Sequence, residues 1–220
     1  MKVVVIGALG KVARHLLPLL AGRGDDVVGV VRKPAQLDEV TDLGAEALLL
    51  DVEQASTEEI ASALDGADAV VWSAGAGGGN PDRTYAVDRD AAIRSMDAAA
   101  NAGVPRYVMV SWIGSVPDHG IPADSSFYAY ADAKLAADDH LRGTALDWTI
   151  LGPGSLTDDD PTGRIERVAE GVSLARGEDS AVPRADVAQV VADALHEPLT
   201  VRAFVRFRSG ETPIPDALRG

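Results

Sequence analysis

Three features predict an α/β fold with a doubly wound parallel sheet. Apolar, β-branched runs alternate with helix-like segments from Lys2 to Leu151. Those runs are mainly apolar, as strands covered on both faces are, and right-handed crossovers then place helices on both sides of the sheet. The first run, KVVVI, passes directly into a glycine turn that opens a helix, which is how a Rossmann-type sheet begins.

Each element has its own signal. Lys2–Ile6 is the first strand. A helix follows to about Ala21, with Leu16, Leu17 and Leu20 on its apolar face. Pro18 inside it is a misfit, because proline lacks an N–H and crowds the preceding turn. Asp26–Val31 is the second strand. Pro34 opens a short helix that Gly44 ends, and Ala45–Leu50 is the third strand. Ser56 and Glu59 form a capping box for a helix ending at Gly66. Ala69–Ser73, the fourth strand, leads into the loop AGAGGGNP. A long alanine-rich helix runs from about Arg83 to Asn101 and is stopped by Gly103. Arg106–Ser111 is the fifth strand, Ser126–Arg142 a helix, and Asp147–Leu151 the sixth strand. Beyond it come a helix near Asp186–His196 and a short strand near Ala203–Phe207. The 220 residues suit one domain, with residues 152–183 and 197–220 expected to form a small C-terminal lobe on the substrate side.

Composition excludes several classes of function. The net charge of −14 argues against nucleic acid or an anionic membrane as partner, since both select basic patches. With no cysteine, disulfides and thiolate metal sites are excluded. No apolar stretch is long enough for a membrane span, and Gly7 and Lys11 interrupt the N-terminal run before it reads as a signal peptide. A cytoplasmic monomer or homodimer acting on a small molecule, with no metal, is the expectation.

Ligands of doubly wound sheets lie at the carboxyl ends of the strands. At the first tip the chain reads Gly7-Ala8-Leu9-Gly10-Lys11-Val12-Ala13. Gly7 permits the tight turn, and Gly10 lets backbone approach a pyrophosphate at the helix N-terminus, where free amides favour anions. Ala13 replaces the third glycine of the dinucleotide fingerprint, and Lys11 adds positive charge. A G-x-x-G alone could be a plain turn; its place between the first strand and the first helix gives it meaning. The second strand ends in Arg32-Lys33, with no carboxylate for the ribose hydroxyls of NAD. Two cations suit a 2′-phosphate, so NADP is expected over NAD. Asp51-Val52, after the third strand, is placed either to contact adenine or to cap a turn.

Over nearly its whole length the chain resembles the atypical short-chain dehydrogenase/reductases. It is most similar to NAD(P)H-binding proteins of NmrA-like, biliverdin reductase B-like and epimerase-like type. The carriers are VIGALGKVAR, VVRKP, LLLDVE, VVWSAGAG, VDRDAAI, VPRYVMVS, YAYADAKLAAD, LDWTILGPGSLTDD and RADVAQVVADAL. In that superfamily a tyrosine and a lysine spaced Y-x-x-x-K work with an upstream serine and often an asparagine. Tyr130 and Lys134 fit the spacing, which puts both on one helix face; an ordinary surface pair is the alternative. The resemblance implies that Lys134 binds the nicotinamide ribose and lowers the pKa of Tyr130, and that Tyr130 moves a proton as hydride moves. It also implies that Ala74, Gly75 and Ala76 lie under the cofactor, and that Pro153, Gly154 and Leu156 border its nicotinamide end.

The departures are specific. Trp112 stands where the catalytic serine is expected, which leaves Ser111 and Ser115 as candidates. The asparagine position reads Asp88, and Gly152 replaces a frequent arginine. The implied function is an NADP-dependent oxidoreductase acting on a small carbonyl or quinone, or an epimerase in which hydride leaves and returns. The alternative is a non-catalytic NADP-binding redox sensor of NmrA-like type. The Tyr130–Lys134 pair favours the enzyme; Trp112 and Asp88 favour the sensor. The substrate pocket is expected between Trp112–Phe127 and Leu156–Arg167, with Trp112 either an aromatic wall or core. His119 is read as an exposed loop residue, and Asp158, Asp159 and Asp160 as a solvated turn.

Overall fold

The first strand shows how the sheet is covered. β1 (Lys2–Ile6) turns Val3 and Val5 to one face and Val4 and Ile6 to the other, and all four are buried. The computed structural model describes residues 1–169, 172 and 180–220. β2 (Asp26–Val31), β3 (Glu46–Leu49), β4 (Ala69–Trp72), β5 (Arg106–Val110) and β6 (Asp147–Pro153) follow. These six strands are parallel, in the spatial order β3-β2-β1-β4-β5-β6. The order reverses between β1 and β4, which opens a crevice at their carboxyl ends.

Helices pack on both faces. α1 (Ala13–Gly22) and α2 (Leu37–Asp42) cover one face through Leu16, Leu17, Leu20 and Val40. α3 (Thr57–Ala63) covers the other through Ile60, and carries the expected Ser56–Glu59 capping box. Pro18 does not break α1, because it lies on the exposed side, where water can take the carbonyl it fails to serve. The alanine-rich helix is less uniform than expected. It runs as α4 (Pro81–Thr84), a π-helical stretch (Tyr85–Ala91) and α5 (Ala92–Asn101). Such stretches are rare and gather at functional sites, and this one carries Asp88. α6 (Tyr128–Arg142) joins α3 and α5, while α7 (Arg184–His196) and α8 (Ile214–Arg219) pack beside α1.

The C-terminal part departs from expectation. β7 (Ser155–Thr157), β8 (Arg164–Arg167), β9 (Ala181–Pro183), β10 (Ala203–Ser209) and β11 (Thr212–Pro213) complete the strands among the described residues. Only β7 and β9 form a small sheet of their own. β10 pairs parallel with β6, β8 antiparallel with β10, and β11 antiparallel with β8, so the main sheet reaches nine strands. Much of the segment assigned to a lobe is therefore sheet. The pairs Gly152–Arg206 and Pro153–Phe207 also carry β6 two residues beyond its expected end at Leu151. Residues 170, 171 and 173–179 of that segment lie outside the described residues. No described helix is long and apolar enough to cross a membrane.

Candidate active site

The turn after β1 is built on close approach. Gly7 has φ +86°, and a Cβ there would lie 2.5 Å from Cα of Ala74. A side chain at Gly7 would thus collide with the loop after β4. Gly10 donates its amide to the carbonyl of Gly7 at 2.9 Å, and a Cβ there would lie 3.2 Å from the carbonyl oxygen of Ser73. Val12 is buried in the core at the start of α1, so only its backbone is available to a ligand.

A cleft of about 290 Å³ opens above this turn, across the tips of β1 to β4. It collects most of the expected cofactor residues: Gly7, Ala8, Leu9, Gly10, Arg32, Asp51, Val52, Ala74, Gly75 and Ala76 all line it. Arg32 is exposed. Lys33 is also exposed and does not line the cleft. Asp51 accepts the amide of Glu53 at 3.1 Å, so its carboxylate shapes the turn at the cleft edge. Lys11 reaches outward instead, to Asp158 at 3.1 Å, and Asp158 also receives Arg184 at 2.6 Å. The two cations hold this exposed carboxyl below its ordinary range. Asp158 is thus an ion-paired member of the turn at 158–160, not a merely solvated one.

Two arginines at this cleft carry no motif. Arg83 binds Glu53 at 3.1 Å and donates to the carbonyl of Ala76, tying the loop after β4 to the loop after β3. Arg94 donates to the carbonyls of Val52, Glu53 and Ala55 at 3.0–3.1 Å. Their spacing from those loops in sequence gives no hint of the contact.

A larger cavity, of about 820 Å³, lies at the tips of β5 and β6. Ser111, Tyr130, Pro153, Gly154 and Leu156 line it. The loop from Trp112 to Phe127 supplies one wall as expected; of Leu156–Arg167 only Leu156 takes part, while Phe204 and Arg206 of β10 do so unanticipated. Trp112 is half-buried and faces the cavity. Its ring meets Phe127 edge-on at 5.1 Å, and lies 6.5 Å from the ring of Tyr130. Gly114 makes room for it, since a Cβ there would lie 2.2 Å from the indole. His119 is half-buried rather than exposed, because its ring packs against Trp112 and Tyr128 and its Nδ1 accepts the amide of Ile121. Arg206, buried, donates to the carbonyls of Ile113, Ala169 and Val172 at 2.8 Å and so braces the cavity wall.

Beneath Tyr130 the face of α6 continues with Lys134 and Asp138, both buried. The Lys134 ammonium donates to the carbonyl of Val110 at 2.9 Å and approaches the sulfur of Met109 at 3.3 Å. Burial pushes the Asp138 carboxyl up, and Lys134, Ser111 and Ser115 pull against that shift. Both serine hydroxyls donate to its Oδ2. Burial also raises Asp88, against the pull of Lys134 and of the Ala76 amide, which Asp88 accepts at 2.9 Å. The structure therefore gathers Lys134, Asp138, Ser111 and Ser115, and sets Asp88 under the loop that carries Ala76. Asp138 was not foreseen; its position four residues after Lys134 was the available signal.

A parallel sheet whose first turn presents helix-start amides, beside a cleft across the strand-order reversal, defines a dinucleotide-binding protein of Rossmann type. The NAD(P)H-binding family matches residues 7–198. The chain is 36% identical over 221 residues to a Bacillus subtilis protein named as an uncharacterized sugar epimerase, covering 100% of this chain and 99% of the relative. A Bacillus halodurans structure named provisionally as an NAD-dependent epimerase/dehydratase superimposes with TM-score 0.90 at 32% identity, covering 100% and 99%. The oxidoreductase ylbE of Lactococcus lactis does so with TM-score 0.86 at 30% identity, covering 100% and 95%. The chain belongs to the NAD(P)H-binding family, and its relatives are of oxidoreductase and epimerase-like kind.

Proposed function

We propose that the protein is an NADP-dependent oxidoreductase acting on a small carbonyl or quinone, with Tyr130 as proton donor. The observation that carries the reading is Tyr130 on the wall of the larger cavity, with Lys134 buried one turn further along the same helix face. The smaller cleft suits the adenosine and phosphate end of a dinucleotide: Gly7 and Gly10 keep its floor free of side chains, and Arg32 stands at its rim. Gly7–Val12 and Ala74–Ala76 would hold the phosphates, Asp51 and Val52 the adenine, and Pro153, Gly154 and Leu156 the nicotinamide end. When bound, the nicotinamide supplies or accepts a hydride. An ammonium has three protons. Lys134 directs two to Val110 and Met109, and the third is assigned to the nicotinamide ribose. Its charge would stabilise negative charge developing on the Tyr130 oxygen as the proton leaves. The name of the Bacillus subtilis relative supports the epimerase variant, in which the hydride returns to the substrate. The same reading makes this a cytoplasmic enzyme, a monomer or homodimer, with no nucleic acid or membrane partner.

The sensor reading has one observation in its favour: Ser111 and Ser115 are both engaged by Asp138. NADPH oxidation with a panel of quinones and carbonyls separates the two. Sustained turnover is expected; tight NADPH binding with none across the panel would favour the sensor.

NADP preference rests on Arg32, which lines the cleft and whose side chain makes no hydrogen bond or ion pair among the described residues. Arg32→Ala is expected to weaken NADPH about 10- to 100-fold, the scale of a lost charge-assisted contact, and to leave NADH unchanged. Paired titrations check this; an equal change for both nucleotides would remove Arg32 from the role.

A further inference from the structure

The polarity of Ser111 is set from outside the Tyr130–Lys134 pair. A serine hydroxyl carries one proton and two acceptor lone pairs. Ser111 gives its proton to Oδ2 of Asp138, and Ser115 gives its own to the same oxygen. Two hydroxyl donors converging on one oxygen match an ionised carboxylate, which only accepts. Ser115 is sealed in the interior, whereas Ser111 lines the cavity that Tyr130 also lines. With its proton committed inward, Ser111 has only lone pairs to offer a substrate.

We propose that Asp138 is a positioning residue that makes Ser111 a hydrogen-bond acceptor at the cavity wall, so that the site prefers a group that donates there, an alcohol or enol hydroxyl, over the matching carbonyl. This rests on reading the cavity as the substrate's. A carbonyl oxygen against Ser111 meets lone pairs with lone pairs. Turning the serine proton outward would take a donor from a fully buried carboxylate whose Oδ1 already has no hydrogen-bond partner. Unmade hydrogen bonds cost most where no water can replace them. Asp88 does not compete for the serines, since it accepts from the Ala76 amide.

Calorimetry with a matched pair of probes tests this in complexes that cannot turn over: 2-naphthalenemethanol with NADPH, and 2-naphthaldehyde with NADP⁺. The alcohol is expected to bind more tightly. Ser111→Ala should weaken the alcohol about five- to tenfold, the scale of one neutral hydrogen bond, and leave the aldehyde within about twofold. A loss confined to the aldehyde would show Ser111 as a donor and overturn the proposal. Infrared difference spectra of the parent and Asp138→Asn at neutral pH give a second reading without any substrate. Loss of an ionised carboxylate band is expected; loss of a protonated carboxyl band overturns the assignment. If neither probe binds while the carboxylate band is found, the band upholds the polarity of Ser111 and the substrate reading of the cavity fails.

Discussion

Tyr130→Phe is expected to lower turnover by about 100- to 10,000-fold, the usual worth of a positioned general acid, while leaving NADPH affinity close to that of the parent. The substitution removes only a hydroxyl. The Tyr130 ring lies 4.9 Å from Phe127 and 6.5 Å from Trp112, and phenylalanine keeps that packing. Lys134 and its partners lie below and are untouched. Steady-state kinetics with the best quinone or carbonyl of a panel, alongside an NADPH titration, checks both halves. Activity that survives would strip Tyr130 of the proton-donor role while leaving hydride transfer in place.

Lys134→Met carries the largest expected cost to stability. It removes the buried cation that opposes the raised pKa of both Asp88 and Asp138. The substitution also leaves the Val110 carbonyl without its ammonium donor, and a buried polar group left unsatisfied typically costs about 1–3 kcal/mol. The sign of its pH dependence follows from the carboxyls. A carboxyl with a raised pKa in the folded state holds its proton more tightly there than in the unfolded chain. Its favourable contribution is complete below the ordinary value and is lost as pH rises through the folded one. Without Lys134 both carboxyls rise further, so the gap in stability from the parent should be smaller at about pH 5 than at about pH 8. Lys134→Arg keeps the charge but must fit a planar fork where Nζ lies 2.9 Å from the Val110 carbonyl, and should weaken NADPH binding. Urea midpoints at the two pH values are the measurement. A Lys134→Met variant as stable as the parent at both would show that Lys134 does not support the two buried carboxyls.

The six parallel strands could be read from the sequence because each is a mainly apolar run closed by a polar or glycine signal. The glycine turn was legible for the same reason: Gly7 and Gly10 stand where one pattern changes to the other. What was hidden depends on partners far along the chain. β10 decides that β6 runs on to Pro153, and no local feature of LGP says so. β7 and β9, three residues each, pair across more than twenty positions and are too short to show a period. The π-helical stretch around Asp88 has an ordinary helical composition. In the candidate site, Tyr130 and Lys134 were visible as a spacing, whereas the inward turn of Ser111 depends on where α6 places Asp138.

Ionic strength should act on nucleotide binding through the exposed bridge from Lys11 through Asp158 to Arg184. Added salt screens the attraction between the turn and the phosphates. It also screens the repulsion between a chain of net charge −14 and a polyanionic ligand, and it loosens the hold of Asp158 on Lys11. The last two effects oppose the first. NADPH affinity should therefore fall only shallowly as sodium chloride is raised, unlike binding at a basic surface. In Asp158→Asn the ammonium of Lys11 is already released, and the same salt titration should fall more steeply.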